Sequence, residues 1–362
     1  MKLFKVYPLF DIEPVKGKGC YVYDQSGTKY LDFYGGHAVI SIGHSHPHYI
    51  KRMTAQLNKI GFYSNSVTNS LQIELAQKLG QLSNCEDYQL FLCNSGAEAN
   101  EDALKLASFA TGYNKVIAFK KAFHGRTSAA VNVTDNPKIQ APINKGFESV
   151  LLDLNDIKTL KTECDKGGIC AIIIEGIQGI AGINIPDPKF LKELEQICKQ
   201  KNIPLILDEV QSGYGRSGKF FAFQHADIQP DIITTAKGMG NGFPIGGVLI
   251  QNKYVAKYGM LGHTFGGNHL ACAAGLAVLE VMESEYLIQN SETLGNYFKK
   301  QLEQIDGVKE VRGRGLMLGI EFDFPIAEMR KQLIYKEHIF TGSSAHPNVL
   351  RLLPPLSIKK KH

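Results

Sequence analysis

The chain lacks the features that mark membrane and secreted proteins. No stretch of it approaches the roughly 18 uninterrupted apolar residues of a membrane-spanning helix. Its first residues, Met1–Lys5, include no apolar run long enough for a signal peptide, and acidic residues follow at Asp11 and Glu13. We therefore expect a cytoplasmic protein that makes no contact with a membrane.

Charge and cysteine usage exclude two further classes. The 40 Lys and Arg residues exceed the 35 Asp and Glu residues only slightly, giving a formal charge of +5, and the like-charge run Lys359–Lys361 is short. This balance is too weak for a nucleic-acid-binding surface. The 7 cysteines form no C-x-x-C pair and are odd in number, which favours reduced, buried thiols over a disulfide framework.

Three alternating histidines, His44, His46 and His48, are the main candidate for metal ligation. Alternation places side chains on one face only within a strand, and Pro47 favours a loop here instead. We therefore expect no metal site.

What the chain does contain, from residue 88 onward, is an alternation of short apolar runs and helical periods. This alternation predicts an α/β fold with a mostly parallel sheet covered by helices. Helices are predicted from the apolar period Ala99, Ala103, Leu106, Ala107 and Ala110, and over Pro188–Lys201. Strands are predicted at Tyr88–Cys93, Val116–Phe119, Ala171–Glu175, Pro204–Asp208, Ile232–Thr235 and Gly247–Ile250.

The two ends of the chain have a different pattern. A hairpin is predicted from Gly19–Tyr23 and Thr28–Phe33, and a strand at Leu316–Phe322 lies among helical segments. We predict a large domain over residues 46–284 and a smaller α+β domain built from residues 1–45 and 285–362.

Ligands of such folds bind at the carboxyl ends of the parallel strands, so the residues just after each strand are informative. Ser95, Gly96 and Ala97 begin a helix after Tyr88–Cys93, where free backbone N–H groups suit a phosphate. An ordinary Ser N-cap with Glu98 in a capping box explains the same residues. Both interpretations remain open from the sequence.

An acid and a lysine follow two other predicted strands. Asp208 ends one strand and suits a metal ligand, a general base or the partner of a cationic ring nitrogen. Lys237 follows Ile232–Thr235 among small residues, where lost hydration lowers its pKa and makes it a candidate nucleophile. A phosphate cradle, an acid and a lysine at three strand ends fit pyridoxal phosphate better than other cofactors.

Because of these residues and the segments around them, the chain resembles the class III, fold-type I pyridoxal-phosphate-dependent aminotransferases over nearly its whole length. The block around Asp208 and Lys237 is the most specific part of the resemblance. The matching segments are YDQSGTKYLDFYGGHAVISIGHSHP (23–47), FLCNSGAEANEDALKLA (91–107), FHGRTSAA (123–130), LILDEVQSGYGRSGKFFAFQHADIQPDIITTAKGMGNGFPIGG (205–247), HTFGGN (263–268) and VLRLLPPLSI (349–358).

The resemblance implies a role for each matching residue. Lys237 is implied to bind pyridoxal 5'-phosphate covalently and to move the proton, and Asp208 to pair with the ring nitrogen. The other implied cofactor contacts are Ser95, Gly96 and Ala97 at the phosphate, Phe123 and Val210 at the ring faces, Gln211 near the ring hydroxyl and Thr264 at the phosphate of the neighbouring subunit of a homodimer. Carboxylate binding is implied for Arg126 and Arg351, whereas we expect the neighbouring His124 to be a structural histidine.

The implied activity is transfer of the terminal amine of an acylated ornithine, such as N-acetylornithine, to 2-oxoglutarate. Alternatives of the same class act on N-succinylornithine, ornithine, 4-aminobutyrate or an intermediate of the diaminopimelate pathway. A homologue that binds a phosphate ligand without catalysis is the alternative from another class, and the retained lysine and acid argue against it.

Two departures from the family pattern concern the substrate. The family motif Glu-Pro-x-Gln-Gly-Glu reads Glu175–Ile180 here, so that an isoleucine replaces the second glutamate, which in relatives can pair with the arginine matched by Arg351. His263 replaces a small hydroxyl residue before Thr264. Removing an anion and adding a group that can carry positive charge predicts acceptance of N-succinylornithine, with His263 facing the substrate.

Overall fold

The structure is a computed structural model that describes residues 1–362. It contains fourteen strands, ten helices and four short 3-10 turns. The strands are β1 (Pro14–Lys18), β2 (Tyr21–Asp24), β3 (Lys29–Asp32), β4 (Tyr88–Cys93), β5 (Lys115–Phe119), β6 (Ser149–Leu152), β7 (Ile169–Glu175), β8 (Leu205–Asp208), β9 (Ile232–Thr235), β10 (Gly246–Gln251), β11 (Val308–Arg314), β12 (Met317–Phe322), β13 (Ile339–Phe340) and β14 (Val349–Leu352).

Helices connect and cover these strands. The helix at residues 188–201 is amphipathic, whereas the helix at residues 269–284 is almost wholly buried. They are α1 (Gly35–Ala38), α2 (Pro47–Leu57), α3 (Ser70–Ser83), α4 (Gly96–Thr111), α5 (Ser128–Asn132), α6 (Ile157–Asp165), α7 (Pro188–Lys201), α8 (His269–Ser284), α9 (Leu287–Leu302) and α10 (Ala327–Tyr335). No helix is both long and apolar enough to cross a bilayer.

A seven-stranded sheet forms the centre, in the order β4-β10-β9-β8-β7-β5-β6. Four neighbouring pairs are parallel, and β10 alone runs antiparallel to both of its neighbours. The mostly parallel sheet predicted from the sequence is therefore confirmed. The strand at Gly247–Ile250 does not continue the parallel pattern, because only a short turn and loop, without a crossover helix, precede it.

Burial explains why these segments are strands and helices. All seven residues of β7 are buried, as expected for a strand covered on both faces. In α4 the predicted apolar face is buried at Ala99, Ala103, Leu106 and Ala107, but Ala110 in the last turn is exposed. That prediction was wrong for Ala110, because the helix has passed the edge of the sheet by then.

The two chain ends form the smaller sheets. The predicted hairpin is β2 and β3, extended by β1 on one side, and the short β13 adds to β3 in parallel at Ile339↔Leu31. A separate antiparallel sheet consists of β11, β12 and β14. Strands from both ends of the chain thus pair with each other, while the proposed domain boundaries at 45/46 and 284/285 stay a prediction.

Candidate active site

The carboxyl ends of β4, β8 and β9 lie at one edge of the central sheet, because β4 points the same way as β8 and β9 across the antiparallel β10. Ser95 follows β4, Asp208 ends β8 and Lys237 follows β9. A hydrogen bond from Asn100 in α4 to Asp208 (2.8 Å) ties the first of these positions to the second. The sheet topology therefore brings the phosphate-cradle candidate, the acid and the lysine to one edge.

Hydrogen bonds fix the carboxylate of Asp208, which is 4% exposed. Its Oδ2 accepts from Asn100 Nδ2 at 2.8 Å and from His124 Nδ1 at 2.7 Å, and its Oδ1 accepts from the Val210 amide at 3.0 Å. Asn100 is oriented in turn by Thr234, whose hydroxyl donates to its Oδ1 at 2.6 Å. Three hydrogen-bond donors therefore hold this buried carboxylate in one orientation.

Sequence reasoning expected His124 to be structural, and the structure places its ring against Asp208. It missed Asn100 and Thr234. The only signal for them was a polar residue in the first turn of a small-residue helix and another inside an apolar strand, which ordinary helix and strand patterns also contain.

Lys237 lies in a short 3-10 turn with φ +46°, a left-handed conformation that side chains rarely adopt. Burial lowers the pKa of its amine, and the negative charges of Asp208 and Glu175 oppose that shift only in part. The amine is therefore present in its neutral, nucleophilic form at lower pH than an ordinary lysine.

The start of α4 supplies the predicted cradle. Ser95 caps the helix, with its side chain accepting from the Glu98 amide at 3.2 Å, so the N-cap interpretation is confirmed. The capping box was wrong, because the Glu98 side chain accepts from the Asn94 amide at 2.7 Å and not from that of Ser95. The first intrahelical hydrogen bond is Ala99 to Ser95, which leaves the amides of Gly96 and Ala97 without an acceptor in the chain. These amides at a helix N-terminus can still bind a phosphate.

A glycine is required at position 96. A Cβ there would lie 2.5 Å from a methyl group of Val210, so Val210 fills the space that any larger residue would need. Gly125 in the neighbouring loop has φ +136°, and a Cβ there would lie 2.7 Å from the Cβ of Ala97. Close packing thus joins the start of α4 to Val210 and to the loop that carries Phe123.

Phe123, Val210 and Gln211 are held by their own contacts around the site. The Phe123 amide donates to Glu175 at 3.0 Å. Gln211 donates from Nε2 to the His37 carbonyl at 3.2 Å, and its Oε1 accepts from Arg351 at 3.2 Å. The side chain of Gln211 therefore links the end of β8 to β14, the strand of the small antiparallel sheet that carries Arg351.

The two arginines predicted to bind substrate, Arg351 and Arg126, differ in burial and in hydrogen bonding. Arg351 is 1% exposed and donates to the Ser343 carbonyl at 2.6 Å as well as to Gln211. Burial lowers its pKa. Arg126 is exposed and has no hydrogen bond or ion pair in the chain, which leaves its guanidinium available for a ligand.

The remaining two residues lie on the loop before α8. His263 binds Asp102 at 2.7 Å and packs beside the ring of Phe91, so it has an acidic partner within the chain. Its expected role toward substrate stays a prediction, because one of its ring nitrogens is already hydrogen-bonded to Asp102. Thr264 is exposed.

The sequence did not indicate a role in the site for Glu175 or for the turn α1. Glu175 is buried between the Phe123 and Gly179 amides, and burial raises its pKa to about 7. The turn α1 has positive φ at all four residues, Gly35–Ala38, and presents the His37 carbonyl to Gln211. The Gly35-Gly36 pair was the sequence signal for this left-handed turn.

No metal-binding cluster of three or more His, Cys, Asp or Glu occurs in the structure. The three alternating histidines bind separate carboxylates, namely those of Asp32, Glu285 and Glu280. Pro47 begins α2 instead of lying in a loop, because proline is well placed at the first position of a helix.

The residues at the sheet edge suit pyridoxal phosphate on three structural grounds. An amine of lowered pKa, a buried carboxylate fixed by hydrogen bonds and unpaired amides at a helix start match the aldehyde, the ring nitrogen and the phosphate of that molecule.

Comparison with known proteins agrees with this chemistry. The family model described as aminotransferase class-III matches residues 5–362. The acetylornithine aminotransferase of Bacillus subtilis (strain 168) is 43% identical over 366 residues, covering 99% of this chain and 94% of that protein. The protein of the same name from Methanocaldococcus jannaschii is 42% identical, covering 99% of this chain and 92% of its own length.

Solved structures show the same fold. The ornithine aminotransferase from Toxoplasma gondii ME49 superposes with a TM-score of 0.92 at 29% identity, covering 99% of this chain and 89% of that one. The acetylornithine aminotransferase from Elizabethkingia anophelis has a TM-score of 0.84 at 32% identity, covering 98% and 91%.

The protein is a pyridoxal-phosphate-dependent enzyme of the aminotransferase fold. More specifically, the chain belongs to the class III aminotransferase family, and pyridoxal 5'-phosphate is its cofactor.

Proposed function

We propose that this chain transfers the terminal amine of N-acetylornithine to 2-oxoglutarate, giving N-acetylglutamate 5-semialdehyde and glutamate. The names of relatives that are 39–43% identical over nearly the whole chain support this substrate. The observation that carries the chemistry is the buried pair of Lys237, with its lowered pKa, and Asp208, with three donors on its carboxylate.

Pyridoxal phosphate, when bound, supplies a conjugated ring that accepts the electron pair left on carbon when a proton is removed. Asp208 keeps a negative charge at the position of the ring nitrogen, and this charge makes the ring a stronger electron acceptor. His124 and Asn100 hold the carboxylate in that orientation. Lys237 binds the cofactor through its amine and, as a neutral base, removes and returns the proton.

Other side chains hold the cofactor in place. The amides of Gly96 and Ala97 and the hydroxyl of Ser95 bind the phosphate at the positive end of α4. Phe123 and Val210 would contact the two faces of the ring, and Gln211 would contact its hydroxyl. These contacts would keep the cofactor within reach of the Lys237 amine.

Two arginines recognise the carboxylates of the substrates. Arg126 binds the α-carboxylate of the acylated ornithine, since its guanidinium is exposed and unpaired. Arg351 binds a carboxylate of 2-oxoglutarate beside Lys237. Planar guanidinium groups bind carboxylates through two parallel hydrogen bonds, which suits a dicarboxylic substrate.

The active form is a homodimer in the cytoplasm. Exposed apolar side chains support the dimer: the rings of Phe62 and Phe265 pack with 5.4 Å between their centroids, and Ile60 and Tyr63, close to Phe62 in the sequence, are exposed as well. Asn65 donates to the carbonyls of residues 263 and 266, so this apolar patch lies beside Thr264. Burying the patch against a second copy brings Thr264 to the partner's phosphate. The 7 cysteines are unpaired, as a reducing compartment requires.

The direct test is a substrate comparison. The purified enzyme, loaded with pyridoxal phosphate, is mixed with 2-oxoglutarate and with N-acetylornithine, N-succinylornithine, ornithine or 4-aminobutyrate, and glutamate formation is measured. Efficient turnover of N-acetylornithine and poor turnover of free ornithine are expected. Equal or better turnover of ornithine or 4-aminobutyrate than of both acylated ornithines would contradict the proposal.

N-Succinylornithine is the second candidate, favoured because Arg351 donates to Ser343 and Gln211 and to no carboxylate of the chain. Ile180 occupies the position of a family glutamate, and its backbone lies beside the loop that holds Arg351, with its carbonyl accepting from Ala345 at 2.8 Å. We expect kcat/KM for N-succinylornithine to be within about ten-fold of that for N-acetylornithine. Ile180→Glu lowers the succinyl-to-acetyl ratio by about ten-fold, since one added charge pair is worth about 1.4 kcal/mol. An unchanged ratio between the two proteins would refute this charge argument.

A further inference from the structure

The loop that carries Thr264 is held by side chains and backbone from other parts of the chain. Asn65 donates to the carbonyls of His263 and Gly266, at 3.2 and 3.0 Å. Gly266 packs against the end of β4, where a Cβ would lie too close to the Leu92 carbonyl oxygen. Thr264 itself is exposed and makes no hydrogen bond within the chain. Its amide and hydroxyl are therefore free to bind a ligand, on a loop that is fixed on both sides of it.

The side chain of His263 joins this loop to α4. Its Nε2 lies 2.7 Å from Oδ2 of Asp102, and its Nδ1 lies 3.9 Å from Oε1 of Glu98, one turn earlier on the same helix. The His263 ring also packs beside Phe91, with 5.9 Å between the ring centroids. Each ring nitrogen of His263 therefore faces an acid of α4.

Asp102 depends on His263 in turn. Its side chain is 8% exposed and accepts a hydrogen bond from no other group of the chain. Burial raises the pKa of this carboxyl, and the hydrogen bond from His263 opposes that rise. A buried acid with one partner is held firmly to that partner, because the loss of the partner would leave a buried polar group unsatisfied.

The helix that holds His263 is also the helix that begins the phosphate cradle. The amides of Gly96 and Ala97 at its start have no acceptor in the chain, and Asp102 follows six residues after Gly96. The hydrogen bond between Asp102 and His263, which we call the His263–Asp102 pair, therefore connects the cradle helix to the loop of Thr264.

We infer that the His263–Asp102 pair positions Thr264 for the cofactor phosphate of the partner subunit, so that His263 acts on cofactor binding and not on the choice of substrate. The inference rests on the proposed function, in which the active form is a homodimer with Thr264 at that phosphate. In such a dimer α4 contributes to both phosphates, directly through its first amides and indirectly through Asp102 and His263. A loop that is ordered before the cofactor arrives loses less conformational entropy on binding, and this raises the affinity.

The test compares the binding of pyridoxal 5'-phosphate with that of pyridoxal, which keeps the ring and the aldehyde but lacks the phosphate. Equilibrium dialysis of the full chain, stripped of cofactor, gives a Kd for each compound. Both compounds bind Lys237 through the same aldehyde, so the ratio of the pyridoxal Kd to the pyridoxal phosphate Kd reports the phosphate contacts alone.

Three single variants give the expected pattern. Thr264→Ala removes a hydrogen bond to a charged group and should lower the ratio by about ten-fold. His263→Ala releases the loop from α4 and should lower the ratio by about three- to ten-fold. His263→Gln is the matched control and should retain most of the ratio, because its Nε2 can still donate to Asp102.

A double variant tests whether an unpaired buried acid distorts α4. When Asp102→Ala is added to His263→Ala, the ratio should stay as low as in His263→Ala alone. Recovery of the wild-type ratio in the double variant would overturn the inference. An unchanged ratio in His263→Ala, or an equal fall in His263→Gln, would overturn it as well. If His263→Ala does not fold, Asp102→Asn weakens the same bond from the other side, and an unchanged ratio in that variant has the same meaning.

Thr264→Ala separates a failure of the inference from a failure of the proposed dimer. If Thr264→Ala leaves the ratio unchanged, Thr264 does not bind the phosphate, and the proposed shared site fails together with the inference. If Thr264→Ala lowers the ratio and His263→Ala does not, only the inference fails. An altered succinyl-to-acetyl ratio of kcat/KM in His263→Ala, with an unaltered cofactor ratio, would assign His263 to the substrate instead.

Discussion

Single residues decide the chemistry because each is fixed by several neighbours. Asp208 accepts hydrogen bonds from three groups. One of these groups, the Asn100 amide, is itself held by a hydrogen bond from the Thr234 hydroxyl. Such a chain of contacts keeps the charge in one place without reorganisation during the reaction. The lysine gains its reactivity from burial, which lowers its pKa.

The first prediction concerns Lys237. Lys237→Ala removes the amine that binds the cofactor and moves the proton, so turnover of N-acetylornithine should fall by at least about 1,000-fold. Circular dichroism should show an unchanged fold, because the variant leaves a smaller residue at a strand end. Near-normal turnover without added amine would show that another group carries out the reaction.

The second prediction concerns the charge of Asp208. Asp208→Asn keeps a hydrogen-bonding side chain but removes the negative charge, so single-turnover rates should fall by about 100- to 1,000-fold while the cofactor still binds. Stopped-flow absorbance measures the rate, and equilibrium dialysis measures cofactor binding. Rates within a few-fold of wild type would give Asp208 a different role.

At the scale of elements, the sequence predicted those features that depend on neighbours along the chain. The strand ends carrying Ser95, Asp208 and Lys237 could be placed, because continuous apolar runs and small-residue helices have clear local patterns. The contact of Arg351 with Gln211 could not be predicted, since it joins residues that are 140 positions apart. His263 illustrates the same limit, because its partner Asp102 is 161 residues away.

The turn α1 shows what local patterns can and cannot give. Two adjacent glycines are typical of a turn, but the positive φ angles of His37 and Ala38 could not be predicted from residue type, because side chains rarely adopt them. Backbone hydrogen bonds to Tyr34 and Gly35 and the contact of Gln211 with the His37 carbonyl hold this strained conformation.

The third prediction concerns the ion pairs of Glu321, which connect β11 and β12. Arg312 and Lys309 bind Glu321 at 2.7 and 2.9 Å and lower its pKa to about 2, from an ordinary 4.5. Arg312 also donates to the Gly182 carbonyl, which couples this pair to the loop after β7. Glu321→Gln should lower the free energy of unfolding at pH 7 by about 1 kcal/mol or less, because the pair lies near solvent.

The sign of the pH dependence follows from the lowered pKa. The stabilisation is complete above the unfolded-state pKa near 4.5 and disappears as pH falls toward 2, so wild type and Glu321→Gln should converge in acid. Urea unfolding at pH 7 and pH 4 measures the difference. Glu310→Gln, which removes the more exposed partner of Arg312, is the control and should have the smaller effect at pH 7. A difference that grows in acid would contradict the assignment.

At the scale of the whole molecule, the proposed active form consists of two copies of the chain. The apolar patch around Thr264 is exposed in one chain, with Phe265 at 60% and Tyr63 at 57% exposure. Burial of such side chains is worth about 25 cal/mol for each Å² of apolar surface, which favours association.

The corresponding prediction is that activity and dimerisation coincide. Sedimentation velocity at assay concentrations should show a dimer, and Phe265→Asp should produce monomers with little turnover and weaker cofactor binding. Tyr113→Asp, at an exposed aromatic residue outside the patch, is the control and should remain a dimer. A fully active monomer would contradict the shared site.

The central claim is that Lys237 binds pyridoxal phosphate and transfers the amine through it. The most direct measurement is reduction of the loaded enzyme with borohydride, followed by digestion and mass spectrometry of the peptides, with Lys237→Ala as the matched control. The account predicts loss of the visible absorbance band and a reduced cofactor attached to Lys237 alone. Cofactor trapped on a different lysine, or none trapped while the wild type remains active, would contradict it.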